Sequence, residues 1–117
     1  MPREYAVYVA DILEACRRIR SYTKGMTSAD FEKSSITIDA VVRNLEIIGE
    51  AAGKIPDEIK TKSPQMEWRK ITALRNVLAH EYFGVNVKIV WDILANKLGP
   101  LERDCRDLKP RRSSRKL

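Results

Sequence analysis

The segment SITIDAVVRNLEIIGEAAGK, residues 35–54, decides the fold of this chain. Its apolar residues recur at alternating spacings of three and four, a series that Ile55 continues: Ile38, Val41, Leu45, Ile48 and Ala52. Because an α-helix has about 3.6 residues per turn, this spacing places them along one side of a helix. Pro56 ends the segment. The pattern therefore predicts a long helix that buries one face in a shared core.

Similar stripes predict further helices on both sides of this segment. The first runs from about residue 3 to residue 22, a short turn or helix follows near residues 29–33, and another short helix opens on Pro56. A third long helix starts near Trp68, and a fourth has an apolar face made by Val87, Val90 and Leu94. No segment alternates with a period of two between turns. We therefore predict an all-α fold, an antiparallel bundle of four to five helices.

Two details of these helices can be predicted from local signals. Ser28 is expected to be a plain N-cap, because no Glu or Gln stands three residues later to complete a capping box. Gly99 and Pro100 are expected to kink or interrupt the fourth helix before residues 101–108 resume it.

Length and composition fit one small globular domain. The chain has 117 residues, of which 44% are hydrophobic and 32% are charged. No apolar run reaches the roughly 18 to 20 residues that cross a bilayer, and the N-terminus lacks a signal-peptide profile. Cys16 and Cys105 have no second thiol at metal or redox spacing, so reduced cysteines are favoured over a disulfide between them. The sequence therefore predicts a cytoplasmic protein without membrane contact.

Positive charge is concentrated at the C-terminus. From Lys109 onward there are five basic residues and no acidic one, so the net charge of +6 leaves +1 for the rest of the chain. A segment this polar cannot bury apolar area and is expected to be disordered. We therefore divide the chain into a helical domain, residues 1–108, and a basic tail, residues 109–117. The tail could gather RNA without sequence preference, or it could simply add solubility.

One short segment carries the side chains best suited to catalysis: Arg75, Asn76, His80 and Tyr82. An arginine offers fixed positive charge and a two-pronged donor face for phosphate, and a histidine exchanges a proton near neutral pH. Arg75 and His80, the only histidine of the chain, are therefore candidates for phosphodiester cleavage without a metal. The alternative is a histidine that caps a helix C-terminus, where the helix dipole favours positive charge.

Helix geometry separates Arg75 from His80 if their helix is unbroken. Residues five apart point about 140° away from each other, whereas Asn76 and His80, four apart, share a face. Arg75 and His80 could converge if the helix loosens near residues 79–82. They could also come from two copies of the chain across a dimer axis, and the sequence leaves both routes open.

Other chemistries lack the groups they need. A metal site requires several converging ligands, and one histidine without a nearby acidic cluster is a poor start. Glu46 and Glu50 share a helix face and could hold a divalent ion, although a solvated face is the simpler interpretation. The five glycines are scattered and form no phosphate-binding loop. Trp68 and Trp91 fall in phase with the core, so packing explains them. We therefore predict no metal and no cofactor.

Four blocks follow one another in order: VRNLEIIGEAA (residues 42–52), WRKI (68–71), RNVLAHEYFGV (75–85) and VW (90–91). Together they resemble the HepT-like family of the HEPN superfamily. The signature of that family is an Arg, four to six arbitrary residues, a His, one arbitrary residue and a Tyr. Arg75, His80 and Tyr82 match it. The resemblance extends from about residue 5 to residue 108 and leaves only the basic tail outside.

This resemblance implies a small all-α homodimer, the toxin of a prokaryotic toxin–antitoxin pair. Many HEPN toxins are metal-independent endoribonucleases whose Arg and His meet in a cleft at the dimer interface. Carried over to this chain, Arg75 and His80 would be catalytic, Asn76 would orient the site, and Tyr82 would be the modification site. The partner would be a minimal nucleotidyltransferase antitoxin of the MntA type, which silences the toxin by transferring AMP to that tyrosine.

The chemistry of the residues and the resemblance suggest the same reaction on RNA, either tRNA or mRNA. His80 would take a proton from the 2′-hydroxyl or give one to the leaving 5′-oxygen, while Arg75 would stabilise the charge of the transition state. Two alternatives are a non-catalytic accessory subunit that presents substrate to the nucleotidyltransferase, and a purely structural bundle. RNA cleavage by the purified chain would distinguish the enzyme from the accessory subunit.

Overall fold

Helices make up the regular secondary structure of the described part of the chain. The computed structural model describes the backbone of residues 2–80 and 86–109, and the side chains of residues 5–74 and 86–109. Within these ranges there are seven helices and no strand, so the prediction of an all-α fold is confirmed. The helices are, in chain order, α1 (Pro2–Thr23), α2 (Ser28–Glu32), α3 (Ser35–Lys54), α4 (Asp57–Lys60), α5 (Trp68–His80), α6 (Val87–Asn96) and α7 (Leu98–Leu108).

The five helices of ten or more residues form the bundle, and α2 and α4 are the two predicted short helices. Both α1 and α5 pack along α3, while α7 packs against α1 and α6. The predicted stripe of α3 forms the centre of the core, where Val41 and Ile48 are completely buried. Its counterpart on α1 is buried with it: Val9, Ile12, Cys16 and Ile19. Burial of these faces stabilises the bundle, because each fully buried aliphatic side chain contributes roughly 1.5–3 kcal/mol.

The start of α2 differs from the prediction. Thr27, not Ser28, is the N-cap, and its hydroxyl accepts a hydrogen bond of 3.1 Å from the Asp30 backbone N–H. The Asp30 carboxylate accepts one of 3.0 Å from the Thr27 N–H in return, which completes a capping box. The prediction of a plain cap was wrong because the shorter Asp closes the box that Glu or Gln usually closes.

The break between α6 and α7 is confirmed, but it lies at Lys97, two residues before the predicted position. Lys97 is at once the C-cap of α6 and the N-cap of α7. Gly99 and Pro100 therefore lie within the first turn of α7. Proline is tolerated there because the N–H groups of a first turn have no partner inside the helix.

Both tryptophans pack as predicted. Trp68 Nε1 lies 3.2 Å from both the Lys60 and the Ser63 carbonyl oxygens, so it ties the start of α5 to the end of α4. The ring of Trp91 packs against Phe31, with 5.2 Å between the ring centroids. The Trp68 contacts fix where α5 begins, and α5 carries most of the predicted site.

Neither cysteine forms a disulfide: Cys16 and Cys105 are free thiols, both completely buried. The prediction of reduced cysteines is therefore confirmed. Among the helices of residues 2–80 and 86–109, none combines the length and the apolar character that a membrane span requires.

Candidate functional site

Helix α5 carries three of the four predicted site residues. Arg75, Asn76 and His80 all belong to it, and His80 is its last residue. The side chains of residues 75–80 lie outside the described residues, and so does all of Tyr82. The structure therefore gives the backbone position of these three residues on α5, and their chemical roles stay a prediction.

The continuity of α5 bears on how Arg75 and His80 can meet. The helix is α-helical from Trp68 through His80, so the loosening that we considered near residues 79–82 is not found up to His80. Five residues on a continuous helix turn through 500°, so the two positions are separated by about 140° around the helix axis. Asn76 and His80 differ by only about 40° and occupy the same side.

The register between α3 and α5 is set by a close approach at Gly53. A Cβ atom added to Gly53 would lie 3.3 Å from Thr72 Cγ2, closer than most such contacts in proteins. Because α3 ends at Lys54 while α5 continues past Thr72, the two helices can pack along each other only if they run antiparallel. Each residue advances a helix by about 1.5 Å. Glu46 lies seven residues before Gly53 on α3, and Ala79 lies seven residues after Thr72 on α5. In antiparallel helices these two residues are therefore at the same level.

Helical spacing places Val42, Glu46 and Gly49 within about 40° of Gly53 around the axis of α3, on the side where Gly53 approaches α5. Val42 and Gly49 are buried, and the Glu46 side chain is 23% exposed. Glu50, one turn further and rotated toward solvent, is exposed. The two carboxylates that we considered as a pair therefore have different surroundings. Glu50 is solvated, as the simpler interpretation expects, and Glu46 is partly covered.

The charged neighbour of Glu46 holds it only weakly. Arg43 Nη1 lies 3.6 Å from Glu46 Oε1, longer than a strong charge-assisted hydrogen bond, and the Arg43 side chain is 68% exposed.

Within the described part of the chain, no group of three or more His, Cys, Asp and Glu residues is arranged to hold a metal ion.

A groove of about 460 Å³ lies between α3, α5, α6 and α7. Its walls are largely apolar, with Leu45 from α3, Leu74 from α5 and Ile93 from α6. At its edge Gln65 Nε2 donates to Asp104 Oδ1 over 2.9 Å. The sequence did not predict this groove, because its lining comes from four helices and the segment before α5, whose arrangement no local pattern specifies. Among the described residues that line it, Glu67 forms ion pairs with Lys70 at 3.2 Å and with Lys97 at 3.8 Å.

Comparison with known proteins identifies the family. A family model described as "Ribonuclease HepT-like" matches residues 12–108. The chain belongs to the HepT-like family. This confirms the resemblance that the four sequence blocks indicated, and the all-helical fold agrees with it.

Relatives of the HepT-like chain align over most of its length. A Methanocaldococcus jannaschii protein named "Putative RNase" is 41% identical over 84% of this chain and 82% of its own. A Caldanaerobacter subterraneus subsp. tengcongensis protein with the same kind of name is 37% identical over 86% of this chain and 90% of its own. A Thermococcus cleftensis protein named "Probable ribonuclease HepT" is 37% identical over 87% of this chain and 93% of its own. No solved structure matches the chain.

Proposed function

We propose that this protein is a toxin of a HepT/MntA-type toxin–antitoxin pair, a metal-independent endoribonuclease acting in the cytoplasm. The observation that carries the proposal is membership of the HepT-like ribonuclease family, with relatives named as ribonucleases that align over more than four fifths of the chain. The position of Arg75 and His80 on one helix supports the same activity.

The reaction requires a base, an acid and a group that stabilises negative charge. The 2′-oxygen of the RNA attacks the adjacent phosphorus as its proton passes to a base, and the bond from phosphorus to the 5′-oxygen breaks as that oxygen receives a proton. His80 performs these proton transfers, and Arg75 stabilises the charge on the phosphoryl oxygens in the transition state. The products are a 2′,3′-cyclic phosphate, which water can open to a 3′-phosphate, and a 5′-hydroxyl.

The active unit in this proposal is a homodimer. Because α5 is continuous through His80, Arg75 and His80 of one chain occupy positions about 140° apart. In this proposal the Arg75 of one chain meets the His80 of the other, and a two-fold axis repeats that contact with the two chains exchanged. Asn76, on the same side of α5 as His80, orients the site.

The silencing reaction in this proposal is AMP transfer to Tyr82 by a minimal nucleotidyltransferase of the MntA type. The phenol oxygen attacks the α-phosphorus of ATP, pyrophosphate leaves, and the phenol proton passes to solvent. The attached phosphate then adds negative charge two residues from His80. The basic tail, residues 109–117, supplies additional attraction for the RNA backbone.

The decisive experiment is RNA cleavage by the untagged, metal-free protein. Total RNA and defined tRNAs are incubated with the wild type and with His80→Ala, in EDTA and in Mg²⁺. We expect cleavage by the wild type in both buffers, new 5′-hydroxyl ends, and none from His80→Ala. Cleavage that EDTA abolishes would contradict the metal-free mechanism. A folded wild type that cuts no RNA but still takes part in the transferase reaction would instead be an accessory subunit.

A further inference from the structure

Glu46 stands out among the carboxylates of the described residues because of where α3 places it. Helical spacing places it on the side of α3 where Gly53 approaches Thr72 of α5, one turn from Gly49 and two turns from Gly53. The lack of a side chain at Gly53 lets the Thr72 side chain of α5 approach α3 closely. A carboxylate on such a face loses water on the side that α5 covers, and only 23% of the Glu46 side chain is exposed.

The antiparallel register places Glu46 level with the C-terminal end of α5. Counted from the contact between Gly53 and Thr72, Glu46 is at the same height along the helices as Ala79, and His80 is the next residue of α5. The difference in height between Glu46 and His80 is about 1.5 Å. Around α5, His80 lies about 80° from Thr72, toward the outer edge of the α3–α5 contact. Glu46 lies about 20° from Gly53 around the axis of α3. In the antiparallel arrangement this rotation is toward the same edge of the α3–α5 contact on which His80 lies.

We propose that Glu46 is a positioning residue that holds His80 of the same chain in the orientation and protonation state that proton transfer requires. This proposal rests on the proposed ribonuclease function. It goes beyond that function by assigning a role to a residue outside the Arg–His–Tyr signature. Glu46 touches no substrate in this scheme and acts only through His80.

The physical reason is that a histidine used for proton transfer needs a fixed ring. A neutral imidazole carries its proton on either nitrogen, and a carboxylate that accepts from one N–H leaves the other nitrogen free for the substrate. The carboxylate also favours the imidazolium form, because opposite charges within about 4–6 Å stabilise the charged state. Arg43 competes weakly for Glu46, with 3.6 Å between Nη1 and Oε1, so the carboxylate retains capacity to accept.

Several other charged groups belong to the elements around this end of α5 or follow it in the sequence. They are Asp39, Arg43 and Glu50 on α3, Arg75 on α5, Glu81, and Lys88 on α6. Two of the α3 groups differ from Glu46 in their exposure, since Arg43 and Glu50 are both exposed. Glu50 is therefore a matched control, a glutamate one turn from Glu46 on the same helix.

The test uses the fact that His80 is the only histidine in the chain. In untagged protein its ring gives a single imidazole signal, which can be titrated by NMR in the wild type, Glu46→Gln, Glu46→Asp and Glu50→Gln. Glu46→Gln should lower the pKa of His80 by about one pH unit relative to the wild type. Glu46→Asp should keep at least part of the effect, and Glu50→Gln should leave the titration unchanged.

Activity supplies the second readout. At a pH above the pKa of His80 in both the wild type and Glu46→Gln, a fall of one unit in that pKa reduces the protonated fraction of His80 about tenfold. In Glu46→Gln, kcat should therefore fall about tenfold at pH 8, with KM nearly unchanged and recovery toward acidic pH. An unchanged His80 titration in folded Glu46→Gln would overturn the proposal, as would equal effects of Glu46→Gln and Glu50→Gln. If Glu46→Gln does not fold, Glu46→Ala, which also removes the carboxylate, is titrated instead and the same criterion applies.

The two readouts separate the failure of this inference from the failure of the proposed function. A wild type that cuts no RNA would contradict the ribonuclease function, yet the NMR titration would still report whether Glu46 acts on His80. An active enzyme whose His80 titrates identically with and without Glu46 would leave the ribonuclease intact and remove Glu46 from its site.

Discussion

Arg20 on α1 and Glu102 on α7 form a two-pronged ion pair between helices far apart in the sequence. Arg20 Nε lies 2.9 Å from both oxygens of Glu102, and Nη2 lies 2.6 Å from Oε1. The Glu102 side chain is only 10% exposed, whereas that of Arg20 is 53% exposed. The pair therefore compensates a nearly buried carboxylate and attaches α7 to α1.

Removing Arg20 should destabilise the fold more than removing an exposed arginine. Arg20→Ala leaves the Glu102 carboxylate without its partner in a largely water-free position, so we expect a loss of about 1–3 kcal/mol in the free energy of unfolding. Urea denaturation followed by circular dichroism measures it. Arg17→Ala is the control, since Arg17 pairs with Glu14 at the surface, where solvent screens the pair and it contributes little to stability. Equal losses in the free energy of unfolding of both variants would show that the Arg20–Glu102 pair stabilises the fold no more than the surface pair.

The two cysteines should be unreactive in the folded protein. Burial is the main cause that raises the pKa of Cys16 and of Cys105 to about 12. At pH 8 the thiolate, which is the reactive form, is then only about one part in ten thousand. A thiol reagent such as DTNB should react very slowly with the native protein and with both thiols after unfolding in urea. Rapid native reaction would contradict the burial of the two thiols, and fewer than two thiols after unfolding would contradict their free state.

Much of the fold follows from local sequence signals. The bounds of α3, residues 35–54, were predicted because its apolar spacing is regular and Pro56 follows directly. The cap of α2 was missed because Asp30 closes a box whose usual third residue is longer. The break before α7 was displaced by two residues because a helix accepts Pro100 in its first turn.

The surroundings of the site were harder to predict, since they depend on how helices come together. The spacing of Glu46 and Glu50 indicates a shared face, and only the position of α5 shows that Glu46 is largely covered while Glu50 is exposed. The groove beside α5 is likewise built from four helices and the segment before α5. The chemistry of Arg75 and His80 could be proposed from residue types and family resemblance, and their convergence across two chains stays a proposal.

Mixing two inactive variants tests whether the site is shared between chains. Arg75→Ala and His80→Ala should each be inactive alone. Unfolding and refolding an equal mixture gives about half heterodimers, each with one site that keeps its Arg75 from one chain and its His80 from the other. We therefore expect about a quarter of the wild-type activity to return. No recovery, with heterodimers demonstrated by native mass spectrometry, would show that each site uses Arg75 and His80 of the same chain.

Replacing Arg75 by lysine tests whether its planar group matters. Arg75→Lys keeps the positive charge but loses the two parallel N–H groups that match two phosphoryl oxygens. We expect kcat to fall by at least about tenfold, because one lost charge-assisted hydrogen bond is worth roughly 1.5–3 kcal/mol. The control is Arg69→Lys, an exposed arginine on the same helix. If both substitutions have the same small effect, Arg75 provides only charge.

Tyr82 is the predicted point of control, because it follows His80 by two residues in the sequence. An AMP group attached to its phenol oxygen would bring a negative phosphate near Arg75 and His80. That phosphate could pair with Arg75 and occupy the space of the RNA phosphate, so the modification would mimic the substrate that it excludes. The alternative is a tyrosine whose ring only packs against Trp68 or Leu78, and Tyr82→Phe keeps such packing while removing the acceptor oxygen.

Tyr82→Phe should therefore stay folded, cleave RNA and remain toxic when the nucleotidyltransferase is co-expressed. Intact-mass spectra after incubation with the nucleotidyltransferase and ATP should show AMP units on the wild type and none on Tyr82→Phe. Tyr22→Phe is the matched control, since Tyr22 is a tyrosine on α1 with 40% of its surface exposed, and it should be modified like the wild type. Silencing of Tyr82→Phe by the partner, or an unchanged wild-type mass, would show that control does not pass through this oxygen. Loss of toxicity in modified wild type with RNA binding retained would mean that the AMP group blocks proton transfer at His80, whereas loss of RNA binding would mean that it occupies the phosphate position beside Arg75.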